Sequence, residues 1–120
     1  MGEPYPLFNN LKNNIMNLPN AITDLVKAQN NFDSTAYANC FTETAVVFDE
    51  GKTYKGKAEI QQWINKANEE YQTVMKPLGY SAPEGILKAE VSGNFPGSPV
   101  VLSYHFVLKS GFIQSLNIKP

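Results

Sequence analysis

The last third of the chain alternates, and this limits the fold more than any other feature of the sequence. From Val100 to Leu108, bulky apolar residues (Val100, Leu102, Tyr104, Phe106, Leu108) take every second position, and smaller or more polar ones (Val101, Ser103, His105, Val107) take the rest. A period of two marks a strand with one buried face and one outer face. Lys109-Ser-Gly111 reads as a hairpin turn and Phe112–Ile118 as the returning strand. Ile86–Val91 alternates too, with Leu87, Ala89 and Val91 on the apolar side and Lys88 and Glu90 opposite. The turn-rich stretch Ser92–Pro99 joins it to Val100.

Upstream the period changes to that of a helix. Pro19 suits a first helical turn, where its missing N–H would be unpaired anyway. Ile22, Leu25 and Val26 follow as a stripe, and Asn30 and Asn31 end it. Asp33 is a good N-cap for a second, short helix with Ala36, Tyr37, Cys40 and Phe41 on its buried side. Ala45–Phe48 reads as a strand, Asp49-Glu-Gly-Lys52 as a turn and Thr53–Lys55 as a short return. Ile60, Trp63, Ile64, Ala67, Tyr71 and Val74 predict one long helix over Ala58–Met75, closed by Pro77 and Gly79. Residues 1–18 read as an N-terminal appendage, with Leu7, Phe8, Leu11, Ile15 and Leu18 near helical spacing, and residues 19–120 as a single domain. Helices first and a run of antiparallel strands last means α+β.

Composition removes several functions. The chain of 120 residues carries ten basic residues, all Lys, against eleven acids, for a net charge of −1. It therefore lacks the cationic face that binding nucleic acid requires, and no arginine is present to clamp a carboxylate or phosphate. The single histidine, His105, excludes a two-histidine metal motif, so no metal site is expected. The single cysteine, Cys40, excludes an intrachain disulfide and reads as an inert buried thiol. No apolar run nears the ~20 residues of a membrane span, and Met-Gly-Glu-Pro-Tyr-Pro6 lacks the basic and apolar regions of a secretory signal. The expectation is a soluble, cytoplasmic protein without membrane or nucleic-acid partners.

Specific segments carry a resemblance. Leu18-Pro-Asn-Ala-Ile22, Asp33, Cys40-Phe-Thr-Glu43, Ala45-Val-Val-Phe-Asp-Glu-Gly51, Tyr54-Lys-Gly-Lys-Ala-Glu-Ile60 and Trp63 resemble the nuclear transport factor 2-like superfamily, in its SnoaL-like (polyketide cyclase and ketosteroid isomerase-type) branch. Val91-Ser-Gly-Asn-Phe-Pro-Gly-Ser-Pro-Val100 and Gly111-Phe-Ile-Gln-Ser-Leu116 look like a small bacterial subgroup of that branch, of unsettled function. The resemblance covers about residues 18–119. It implies a cystatin-like cone: a strongly curved antiparallel sheet wrapped around a long helix, with an apolar pocket and often a homodimer through the outer sheet face. Isomerases, cyclases, dehydratases and plain binding modules share that cone, so function must be argued from the site.

Asp49 is the first candidate. Its place after Val46-Val-Phe48 resembles that of the catalytic Asp of ketosteroid isomerases, where a carboxylate at the mouth of an apolar pocket shuttles a proton beside a carbonyl. The plain alternative is turn chemistry, which Asp-Glu-Gly also serves. Parity turns Tyr104 inward, where its hydroxyl can donate to an oxyanion or simply be a satisfied core phenol. The same parity puts His105 and Ser103 on the outer face, at an interface, unless a bulge reverses them. Val47, Tyr54, Trp63, Leu25, Tyr37, Leu87, Ala89, Val91, Leu102 and Phe106 are the expected pocket lining, and each is equally readable as core. Two departures stand out: the position of the isomerase oxyanion tyrosine falls on Leu25, and that of the second acid falls near Tyr104 or His105.

Two functions follow. One is a pocket for a hydrophobic, oxygen-bearing small molecule, with cofactor-free isomerisation, cyclisation or dehydration in which Asp49 is the base and Tyr104 the donor. The other is a non-catalytic binding or interaction module whose cone is filled by its own aromatics.

Overall fold

The computed structural model describes residues 17–120; most of the N-terminal appendage, including Leu7–Ile15, lies outside the described residues. In chain order come α1 (Asn20–Asn30), α2 (Ser34–Ala38), β1 (Phe41–Asp49), β2 (Lys52–Lys55), α3 (Lys57–Tyr71), β3 (Val74–Ser81), β4 (Ile86–Ser92), β5 (Val100–Lys109) and β6 (Phe112–Lys119). The six strands form one curved, open sheet in the order β2-β1-β6-β5-β4-β3, with the helices covering its inner face. The class is α+β, as the order of periodicities implied.

The local rules account for most boundaries. Pro19 opens α1, its carbonyl accepting from the N–H groups of Ile22 and Thr23 at 3.0 Å each. The Asp33 carboxylate accepts from the Ala36 N–H at 3.0 Å and caps α2. Both tight hairpins have two central residues at positive φ: Glu50 (50°) and Gly51 (76°), then Ser110 (52°) and Gly111 (84°). Such turns match the twist of the strands they join. Asp49 is therefore the last pleated residue of β1, paired with Lys52, rather than part of a loose loop.

Two expectations are corrected. The sheet is mixed rather than wholly antiparallel, because β1 pairs with β6 in parallel, Val47 beside Leu116. Hairpin signals reveal only neighbours in sequence, and this pairing joins residues about seventy apart. The long helix also stops at Tyr71, not Met75. Gln72 takes a left-handed conformation (φ 50°, ψ 50°), its N–H bonded to the Asn68 carbonyl at 3.0 Å, and Val74 begins a strand. Pro77 is tolerated there because β3 is an edge strand, with a register shift between Pro77 and Gly79. Val74 fitted the helical period without belonging to the helix.

One core lies between the helices and the inner sheet face, built on fully buried Ile22, Leu25, Phe41, Val47, Ile60, Leu87, Ile113 and Leu116. Leu18 packs against it from the N-terminal side. Gly85 holds the entry to β4 tight against β5: its carbonyl accepts from the Phe106 N–H at 2.9 Å. Its φ is +70°, and a Cβ there would meet the Phe106 carbonyl oxygen at 2.7 Å. Gly85→Ala should cost ~3 kcal/mol in urea unfolding, combining left-handed strain with a backbone clash. Gly51→Ala, at φ +76° with open space around it, should cost only the strain, ~1 kcal/mol.

Candidate active site on the inner sheet face

The strand registers assemble the candidate residues into rows. Val47 lies beside Leu116, and Leu116 opposite Phe106. Ile118 lies opposite Tyr104, and Tyr104 opposite Leu87. Continuing the β1–β6 register one step beyond Phe48 and Asn117 sets Asp49 beside Ile118. Asp49 and Tyr104 thus share one row, two strand spacings or about 10 Å apart at the backbone. Tyr54 faces Val47 across the β1–β2 hairpin, on the same side.

The helices complete the site with aromatic rings. Gly56 starts α3, and Glu59 reaches back to the Lys55 N–H at 2.7 Å, fixing the helix entry next to β2. Trp63, the only tryptophan, then stacks on Tyr54 with centroids 5.1 Å apart. Tyr37 of α2 meets Trp63 edge-on at 6.2 Å and Phe41 at 5.7 Å. Tyr104 stacks with Phe106 at 6.4 Å.

The expected lining residues divide in two. Val47, Leu25, Tyr37, Leu87, Ala89, Val91 and Phe106 are buried in the core, whereas Tyr54, Trp63 and Leu102 are half-buried against it. Tyr104 is buried, as parity required. Ser103 and His105 face outward, His105 between Asn117 of β6 and Ile86 of β4, in company with exposed Val101 and Val107. The bulge that would have reversed this falls later, between Val107 and Leu108.

The electrostatics single out Asp49. Its carboxyl is pushed up from 3.8 to about 6, first by burial and then by the charge of Glu50, against a lowering hydrogen bond from the Glu50 backbone. Burial also raises the phenols of Tyr104, Tyr37 and Tyr54, and the charge of Asp49 raises each of them further. One carboxylate and three phenols thus share one neighbourhood. Sequence reasoning placed Tyr37 in the wall but missed its nearness to Asp49: Leu25 holds no hydroxyl, and the neighbouring helix α2 supplies one. Cys40 is buried, its thiol pushed up to about 11 and bonded to the Ala36 carbonyl at 3.4 Å, which makes it a poor nucleophile. Among the described residues, no three of His, Cys, Asp and Glu gather as metal ligands would, and no helix is long and apolar enough to cross a membrane.

Two surface clefts, of about 530 and 350 Å³, lie near the β5–β6 hairpin, and neither is lined by Asp49, Tyr54, Trp63 or Tyr104.

The raised carboxyl has a consequence for stability. A folded-state value above the unfolded one means the folded chain binds its proton more tightly, so stability is lost as pH rises from about 4 through about 6. Asp49→Asn removes that loss. In urea unfolding the variant should gain on the wild type by ~1 kcal/mol between pH 4 and pH 7.5, an amount discounted for the partial exposure of the group. A difference that stays flat with pH would mean the carboxylate is fully hydrated.

No family model and no curated protein matches the chain. Solved structures do. A Sinorhizobium meliloti protein described as a candidate polyketide cyclase is 36% identical, with a TM-score of 0.80 over 87% of this chain and 97% of that one. The epoxide hydrolase/cyclase-like enzyme SalBIII, of pyran ring formation in the polyether salinomycin, is 20% identical, with a TM-score of 0.69 over 82% and 86%. A protein of ketosteroid isomerase-like fold from Catenulispora acidiphila, in complex with trimethylamine, is 16% identical, with a TM-score of 0.69 over 85% of each chain. The latter two show the fold alone. The first match, with its higher identity over nearly the whole of that relative, shows the family: the chain belongs to the nuclear transport factor 2-like superfamily, in its SnoaL-like branch.

Proposed function

We propose that the protein binds a hydrophobic, oxygen-bearing small molecule on its inner sheet face and catalyses cofactor-free proton transfer there, with Asp49 as the base. The observation that carries this reading is the half-buried Asp49 carboxyl, raised to about 6 among the phenols of Tyr37, Tyr54 and Tyr104. A base of that strength is ionised at neutral pH yet holds a proton well enough to return it. The ligand enters past the half-buried Tyr54–Trp63 pair. For a cyclic ketone, Asp49 removes a proton α to the carbonyl, and the electron pair moves onto the carbonyl oxygen. The Tyr104 hydroxyl donates to that oxyanion, with Tyr37 as the second donor. Protonated Asp49 then returns the proton at another carbon, so the net change is an isomerisation. The name of the Sinorhizobium meliloti relative supports a cyclase-type substrate, a polyketide or similar fused-ring ketone.

A second reading, a binding module without turnover, has its own support: neither of the two surface clefts is lined by Asp49. One titration separates the two. A β,γ-unsaturated cyclic ketone is added while Trp63 fluorescence and conjugated-enone absorbance are followed. Turnover that falls about 10²–10⁴-fold in Asp49→Asn, with kcat/KM rising to a plateau through an apparent pKa near 6, supports the enzyme. Quenching of Trp63 without enone formation supports the module. Neither signal, across a panel of such ketones, sinks both.

We also propose a cytoplasmic homodimer through the outer sheet face, where Phe48, Val101 and Val107 are 41%, 51% and 57% exposed around His105 and Ser103. Sedimentation should report twice the 13.3 kDa monomer. Val107→Asp should shift it to the monomer, because a charge buried in an apolar interface has no partner.

A further inference from the structure

The inward rows of β4 and β5 continue past the Leu87–Tyr104 pair. Ala89 lies opposite Leu102, and Val91 opposite Val100. Leu87, Ala89 and Val91 are buried, but Val100 and Leu102 are only half-buried although they share the inward parity of Tyr104. Trp63 and Ala67 of α3 are half-buried against the same core. The helices meet the sheet chiefly at β1, β2, β3 and β6, so the inward side chains of β5 are the ones left partly open. From Tyr104 to Val100 is four residues of strand, a span of about 13 Å, long enough for a ligand of several fused rings.

The connection over residues 93–99 leaves and re-enters the sheet at the Val91–Val100 end, and it is fastened to the end of α3. The Asn94 N–H donates to the Tyr71 carbonyl at 2.7 Å. Gly93 comes so close that a Cβ there would meet the same oxygen at 2.7 Å and the Thr73 Cγ2 at 2.9 Å. The loop is also tied to itself: the Gly93 N–H donates to Ser98 Oγ at 3.0 Å, and the Ser98 N–H to the Phe95 carbonyl at 3.3 Å. Between these ties Phe95 is half-buried and packs against the core, while its neighbours Asn94 and Pro96 are exposed. One aromatic ring of a solvated loop is thus held on the inner side of the sheet.

We propose that Phe95 is the end wall of the ligand site and sets the length of ligand that the site accepts. The ligand lies along β5, its reacting carbonyl at Asp49 and Tyr104 and its far ring against Phe95. This inference rests on the reading of the inner sheet face as the ligand site, and it narrows the substrate class. Phe95, Val100 and Leu102 offer no side-chain hydrogen bond, so the far ring of the ketone is apolar. The fastening to α3 makes the wall rigid, so an over-long ligand clashes with it instead of displacing it.

A ratio of two affinities in the full-length chain, read by Trp63 fluorescence, makes the wall measurable. The short probe is a fused-ring β,γ-unsaturated ketone, and the long probe is the same ketone with a phenyl group on its far ring. Wild type should bind the short probe about tenfold or more tighter than the long one, the discrimination that a rigid apolar pocket achieves against added bulk. Phe95→Ala should bring the ratio to about one or invert it, because the phenyl group takes the space of the lost ring. Phe95→Leu, a smaller change, should move it the same way and serves if Phe95→Ala does not fold. Gly93→Ala should also lower it, since its Cβ forces the loop off the Tyr71 carbonyl. Phe32→Ala, which removes an exposed ring from the end of α1, should leave it unchanged. A Phe95 that serves only the fold would weaken both probes alike and keep the wild-type ratio in its variants, which overturns the proposal. Equal binding of the two probes by wild type overturns it as well. If wild type binds neither probe, the inner-face reading itself fails and takes this inference with it, so the two failures are told apart.

Discussion

The packing of Tyr37 is the contact on which the other parts depend. Its helix, α2, has five residues, far fewer than a helix needs to persist in water. The Asp33 cap starts it, but burial of Tyr37 keeps it. That one ring touches Phe41 at the start of β1 and Trp63 in the middle of α3, and Trp63 passes the contact on to Tyr54 of β2. Four elements that a sheet edge and a short helix could not hold together are tied by one aromatic line. Its far end lies against the strand that carries Asp49. The scaffold and the candidate chemistry are the same set of rings.

What could be read in advance follows from how local each signal is. The parity of Val100–Leu108 is local, and it correctly turned Tyr104 and Phe106 inward and Ser103 and His105 outward. The short turns are local too, since two residues at positive φ settle them. The parallel pairing of β1 with β6 is not, because nothing within either strand encodes it. Strand β3 was hidden for a different reason. It carries Pro77 and Gly79, residues that argue against a strand interior, and only its edge position makes them acceptable. In the site, the place of Asp49 at the end of the Ala45–Phe48 strand was legible. The approach of Tyr37 was not, because it depends on the angle between a five-residue helix and a sheet.

Edge strand β3 owes its place to polar side chains rather than to pattern. The Asn30 side chain accepts from the Met75 N–H at 2.7 Å and donates to the Met75 carbonyl at 3.0 Å, standing in for a seventh strand. Beside it, buried Gln29 donates to the Thr73 carbonyl at 2.8 Å and to Asn68 Oδ1 at 3.1 Å. Because a carbonyl only accepts, the Gln29 nitrogen is fixed, and Asn68 must present its oxygen to it. This leaves Asn68 Nδ2 buried and unpaired, a cost of about 1–3 kcal/mol. The network nonetheless ends α1, α3 and β3 at one place, since each contributes a member. Asn30 and Asn31 read in sequence as simple helix terminators; Asn30 is also the strand's clasp.

Asp49 is both the end of a turn and the proposed base, and its proton affinity shows which physical effect dominates there. An aspartate that serves only its turn accepts a backbone N–H, which lowers its pKa, and remains hydrated, which leaves it otherwise at its ordinary value. Asp49 does accept from the Glu50 backbone, and that contribution does lower it. Burial on the inner face outweighs the hydrogen bond, and the net shift is upward. The turn therefore determines where the carboxylate sits, and its burial, with the neighbouring charge of Glu50, determines how tightly it holds a proton. An apolar residue in the same place would extend the core beyond Val47 at no such cost. A carboxylate there weakens the fold at neutral pH, which is the cost that the proposed role of Asp49 as a base would explain.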